Sequence, residues 1–142
     1  MQSKKEEYLK KINSGNITGR DLLLFVDAVQ ELADSNDEVK ELLQDIKDEN
    51  QKIIVNFMIN NRNICASLII EDGIFKTKHE LSENPDLTIK IADEDTARNI
   101  LLGKISITDA YKNGKITGEG NISKVLGLGI LLNLISNEFN VF

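Results

Sequence analysis

The side chains that could carry chemistry are few and far apart. His79 is the single histidine, set between Lys78 and Glu80. A histidine acts as general base only beside a nucleophile it can deprotonate, held by a third orienting group. Ser82 is the near hydroxyl, and nothing in its loop sequence would orient it, so His79 is expected to be a solvated surface residue. Cys65 is the single cysteine, which excludes an internal disulfide and any multi-thiolate zinc site. It alternates with Ile64 and Ala66, so an inert position on the mixed face of a strand is expected. The neighbouring carboxylates Glu71-Asp72 and Asp93-Glu94-Asp95 lack the ligand order of a calcium loop, and their settings indicate a turn and a helix cap. "GKITGEGN" (114–121) places glycines before a helix start, but it has neither the GK[ST] ending of a P-loop nor dinucleotide spacing. No catalytic residue, metal or cofactor is therefore expected, and the chain reads as a non-enzyme.

The whole-chain numbers narrow the partners. With 142 residues the chain is expected to form one domain, and a net charge of −6 argues against contact with a nucleic-acid backbone. The pairs Lys4-Lys5 and Lys10-Lys11 form one basic patch, interleaved with Glu6 and Glu7, and would support no more than transient membrane contact. The first residues, MQSKKEEYLKKIN, lack the apolar centre of a secretory signal. The apolar stretch near the end falls short of the ~20 residues that span a bilayer. A cytoplasmic protein is the expectation.

The elements follow from hydrophobic periodicity. Residues 1–50 carry helical spacing: a stripe at Tyr8, Leu9 and Ile12, then Leu22, Phe25, Val26, Val29, Leu32 and Ala33, then Val39, Leu42, Leu43 and Ile46. Thr18 with Asp21, and Ser35 with Glu38, have capping-box spacing before the second and third helices. Across residues 51–92 the period drops to two. Ile53, Val55, Phe57 and Ile59 share a face, as do Ile64, Ala66, Leu68 and Ile70, while Asp72-Gly73 is a hairpin signal. Ile74–Lys78 and Leu87–Ile91 complete an expected β-meander with one apolar and one mixed face. Residues 93–142 then give a helix capped by Asp93 and stopped at Gly103, a short helix from Ser106, a brief strand at Lys115–Glu119 and a terminal helix capped by Asn121.

That last helix is the anomaly. It reads "SKVLGLGILLNLIS" (123–136), and from Val125 to Leu132 no side chain carries a polar atom. A surface helix needs apolar groups on one stripe only.

The string "NPDLTIKIADEDTARNILLGKISITDAYKNGKITGEGNISKVLGL" resembles the sterol carrier protein-2 (SCP2) sterol-transfer domain family over about residues 51–136. The family's strand, short helix, Gly-Lys turn and glycine-rich segment fall on Leu87–Asp93, Glu94–Leu102, Gly103-Lys104 and Ala110-Tyr111 through Gly120-Asn121. The resemblance implies an α+β fold, a five-stranded, mostly antiparallel sheet with helices packed on one face. Between sheet and helices it implies an apolar tunnel for a fatty acid, fatty acyl-CoA, sterol or similar lipid. The expected lining is Phe57, Leu68 and Ile89 from the sheet, Leu101, Ile105 and Tyr111 from the middle helices, and Leu126, Ile130 and Leu134 from a terminal lid. Tyr111 is the expected polar tip for a headgroup, and Gly127 and Gly129 would let the lid open. In a second reading, the surplus apolar surface of residues 125–135 is buried in a homodimer or against a protein partner, with no ligand cavity.

Overall fold

The structure is a computed structural model, which describes residues 3–48, 52–60 and 64–121. The expected terminal helix, with Leu126, Ile130 and Leu134, lies outside the described residues.

Three helices lead the chain. α1 (Lys4–Ser14) is opened by a capping box between Ser3 and Glu6 and closed by Gly15 in a left-handed conformation. Its Tyr8 is fully buried, tilted against Phe25 with ring centroids 5.2 Å apart. A 3-10 turn (Gly19–Asp21) carries the expected Thr18–Asp21 box and leads into α2 (Leu22–Ser35). α3 (Asp37–Asp48) follows, but its cap is not Ser35: the Asn36 side chain accepts from the Val39 amide at 3.1 Å. The Ser35 hydroxyl instead donates back to the Glu31 carbonyl at 3.0 Å. Asparagine is as good a cap as serine and sits one residue closer to the helix, so it takes the position.

Five strands form one sheet in the order β3-β2-β1-β4-β5. β1 (Ile53–Ile59), β2 (Ile64–Glu71) and β3 (Ile74–Lys78) make an antiparallel meander. Asp72 and Gly73 both adopt positive φ, 55° and 74°, the geometry of the two-residue hairpin turn that Asp-Gly favours. The expected four-stranded meander ends there. β4 (Leu87–Ile91) does not pair with β3; it crosses the sheet and lies parallel to β1, with Val55 opposite Leu87 and Ile59 opposite Ile91.

Polar contacts hold the crossover in place. Residues 79–86 pass over the outer face, where Asn56 both donates to the Ser82 carbonyl (2.9 Å) and accepts from its amide (3.0 Å). The hydroxyls of Ser67 and Ser82 meet at 2.8 Å, and Asp86 accepts from the Ile54 amide at 2.8 Å. A buried amide side chain must be paired, and a connection laid over it supplies the partners.

α4 (Glu94–Leu101) starts at Asp93, whose carboxylate accepts from the Thr96 amide, and α5 (Ile107–Lys112) starts at Ser106 in the same way. Both caps fall where the sequence placed them. β5 (Ile116–Gly120) then pairs antiparallel with β4 at the sheet edge.

Candidate functional site

The helices cover one face of the sheet, and that face is filled unevenly. At one end Ile53, Val55, Ile70, Phe75 and Leu87 are buried under Tyr8 of α1, Phe25 and Val29 of α2 and Leu43 of α3. At the other end Ile59, Ile64, Ile91 and Ile116 are buried under Ala97 and Ile100 of α4 and Ala110 of α5. Between these two clusters Phe57, Leu68 and Ile89 stay half-buried. Phe57 and Ile89 are direct cross-strand partners, and Leu68 pairs with Val55 in the next row. Cross-strand partners share a face, so the three form one patch.

Helical residues complete its border. Leu22 and Leu23 at the start of α2, like Ile89, pack against both clusters, and Ile105 packs against the second; all are half-buried. On the β5 side the row ends in a glycine, since Ile89 is opposite Gly118. A Cβ at Gly118 would sit 3.6 Å from Leu87 Cδ1, an ordinary contact, so the missing side chain leaves room that no steric demand requires. The middle of a helix-covered sheet is ordinarily its driest part. Here Phe57 and Ile89 are only half-covered by the described residues, although their row neighbour Ala66 is fully buried.

Of the expected lining, the structure thus brings Phe57, Leu68, Ile89 and Ile105 to one apolar region. Leu101 is 2% exposed and belongs to the first cluster. Tyr111 on α5 is 62% exposed and stands outside both clusters. Leu22 and Leu23 are additions. Their signal in the sequence is the triplet Leu22-Leu23-Leu24, which carries more apolar surface than a single helical stripe uses.

Polar groups anchor the site from outside. The Tyr8 hydroxyl donates to the Leu101 carbonyl at 3.4 Å, and burial, reinforced by the negative charge of Asp21, pushes its pKa far up, so it stays protonated. Asp21, just before Leu22, accepts from Lys11 Nζ at 2.9 Å and from the Thr18 amide at 2.8 Å. Burial alone would raise the Asp21 carboxyl; the Lys11 and Thr18 hydrogen bonds and the Lys11 charge outweigh it and hold the group below its ordinary range. Among the described residues no buried side-chain nitrogen or oxygen lacks a hydrogen bond, so no orphaned polar atom points into the apolar region.

The other chemical candidates are tied up elsewhere. His79 Nε2 meets both carboxylate oxygens of Asp27, at 2.9 and 3.0 Å, on a half-exposed surface. Ser82 is engaged by Asn56 and Ser67, and Cys65 is half-buried opposite Met58. Among the described residues no group of three His, Cys, Asp or Glu side chains could hold a metal ion. No described helix is long and apolar enough to cross a membrane. A cavity of about 240 Å³ on the outer face is lined by Met58, Asn60, Lys90, Lys115 and Thr117 among others, with mixed chemistry.

The chain belongs to the alkyl sulfatase C-terminal family, whose model matches residues 43–142. The solved sec-alkylsulfatase Pisa1 from Pseudomonas sp. is 18% identical, with 68% of this chain covered and a TM-score of 0.43; the chain spans 14% of that enzyme's length. The sterol carrier protein domain 2 of Helicoverpa armigera is 20% identical, with 80% of this chain and 86% of that one covered and a TM-score of 0.54. Sterol carrier protein 2 from Yarrowia lipolytica, in its apo form, is 16% identical, with 82% and 91% covered and a TM-score of 0.53. The fold is therefore the SCP2 fold, which the sequence resemblance implied. None of the curated proteins matches the chain.

Proposed function

We propose that this chain is a non-enzymatic lipid-binding domain that holds an alkyl or acyl chain against Phe57, Leu68 and Ile89. The observation that carries the reading is their half-buried state on the helix-covered face, where Phe57 and Ile89 lie between rows of buried aliphatics and Leu68 adjoins them. Leu22, Leu23 and Ile105 border the guest, and the lining extends to Leu126, Ile130 and Leu134. Tyr111, exposed on α5, is the polar tip offered to a headgroup. Support comes from the fold shared with proteins named sterol carriers, and from a family named for alkyl sulfatases. Within a longer alkyl sulfatase the chain would sit on the binding side of the chemistry, not the reacting side.

The physical basis is transfer out of water, about 0.8 kcal/mol for each enclosed methylene. About ten of them suffice for micromolar affinity after association costs. Among the described residues no buried side-chain polar atom is left unpaired to read a sterol hydroxyl, so a plain chain fits better than a sterol.

Two measurements test this. Denatured purified protein is searched for co-purified lipid by mass spectrometry, and the native chain is titrated with a fluorescent fatty acid. Phe57→Asp is expected to abolish uptake with the circular dichroism spectrum unchanged. Absence of both signals in the unaltered protein overturns the reading.

A further inference from the structure

The two edges of the sheet are finished differently. On β3 the outward amide and hydroxyl of Thr77 both donate to Gln30 Oε1, at 2.6 and 2.9 Å, so a side chain of α2 closes that edge. β5 has no such cover among the described residues, and Thr117, Gly118, Glu119 and Gly120 are all exposed.

The direction of its free groups can be worked out. Ala92 donates to the Lys115 carbonyl and Asn121 donates to the Asp86 carbonyl, so the odd residues of β5 face β4. In an antiparallel ladder the pairing alternates. Ile116, Gly118 and Gly120 therefore turn their N–H and C=O groups outward.

From this edge we propose that β5 pairs antiparallel with β5 of a second copy of this chain, centred on Thr117. In that register Ile116 exchanges backbone hydrogen bonds with Gly118 of the other copy, and Thr117 lies opposite Thr117. Lys115 falls opposite Glu119, twice by symmetry. Charge complementarity selects the partner: within one copy Lys115 already contacts Asp93 at 3.6 Å, and Glu119 contacts Lys90 at 2.9 Å. Self-pairing joins these into two alternating rows, Asp93–Lys115 of one copy running into Glu119–Lys90 of the other. Like-charged opposition appears nowhere in that register. An isologous contact of this kind closes on itself, so it stops at the dimer. One short strand buries less than a standard interface, so the dimer is weak and concentration-dependent.

The test uses the full 142-residue chain in sedimentation velocity across a concentration series. Lys115→Glu places like charges opposite each other, and Glu119→Lys does the same with the opposite sign. Each variant alone is expected to weaken dimerisation about tenfold. Mixed in equal amounts they should dimerise again, because every opposed pair is then complementary. Gly118→Pro removes an outward donor without touching the β4 ladder and should abolish pairing. An unaltered chain that stays monomeric at high micromolar concentration overturns the proposal. So does a dimer that ignores all three substitutions, or a mixture no more associated than its components.

Discussion

The two faces of the sheet solve burial in opposite ways. On the outer face the buried groups are polar: Asn56 and Ser67 lie at 4% and 0% exposure, and Ser82 supplies their partners. On the helix-covered face the groups are apolar, and Phe57, Leu68 and Ile89 among them remain half-buried. A polar site is complete only when each donor and acceptor is matched, so it leaves no freedom for a guest. An apolar site needs only volume and can be finished by a ligand. The contrast separates the face that fixes the topology from the face offered to a ligand.

Substitutions can break or sharpen this contrast. The largest effect is expected from Ile53→Ala, at 1% exposure in the first cluster, which should cost about 2–5 kcal/mol in denaturant unfolding. Phe57→Ala removes a bigger side chain from the same face, but one already half-buried, so it should cost less stability than Ile53→Ala while reducing fatty-acid uptake more. If the two variants rank the other way in both assays, the central patch is ordinary core. On the outer face Asn56→Ala orphans the Ser82 amide and carbonyl and should cost about 1–3 kcal/mol, with fatty-acid binding unchanged.

Smaller effects come from the anchors. Asp93→Ala removes the α4 cap and should cost about 1 kcal/mol in thermal unfolding. Asp21→Asn probes the acid limb. Its carboxyl is held below the ordinary 3.8, so its stabilisation is complete above that pH and is lost as pH falls through the folded-state value. The variant should therefore show a flatter loss of Tm on acidification, with Asp93, lowered chiefly by its Thr96 hydrogen bonds, still contributing its share.

Local signals were the legible ones. The caps at Thr18, Asp93 and Ser106 and the Asp72-Gly73 turn need only neighbours within four residues, and each stands where spacing put it. Asn36 displaced Ser35 because two good caps stood side by side, and spacing cannot choose between them. The parallel seat of β4 was not legible: alternation in Leu87–Ile91 fixes which residues share a face, not which strand lies beside them. The same limit applies to the candidate site. Phe57, Leu68 and Ile89 could be placed on one face by period two, whereas the contribution of Leu22 and Leu23 depends on where α2 lies against the sheet.

The crossover has a consequence for synthesis. While the nascent chain is still short of residue 87, β1 has a neighbour on the β2 side alone, and its opposite flank presents unpaired amides in an aliphatic strand. Such a flank is a template for foreign strands. Any pause in translation before Ile91 should leave a species prone to clumping, one that release of the next few residues would rescue, whereas a chain truncated there should stay prone to it.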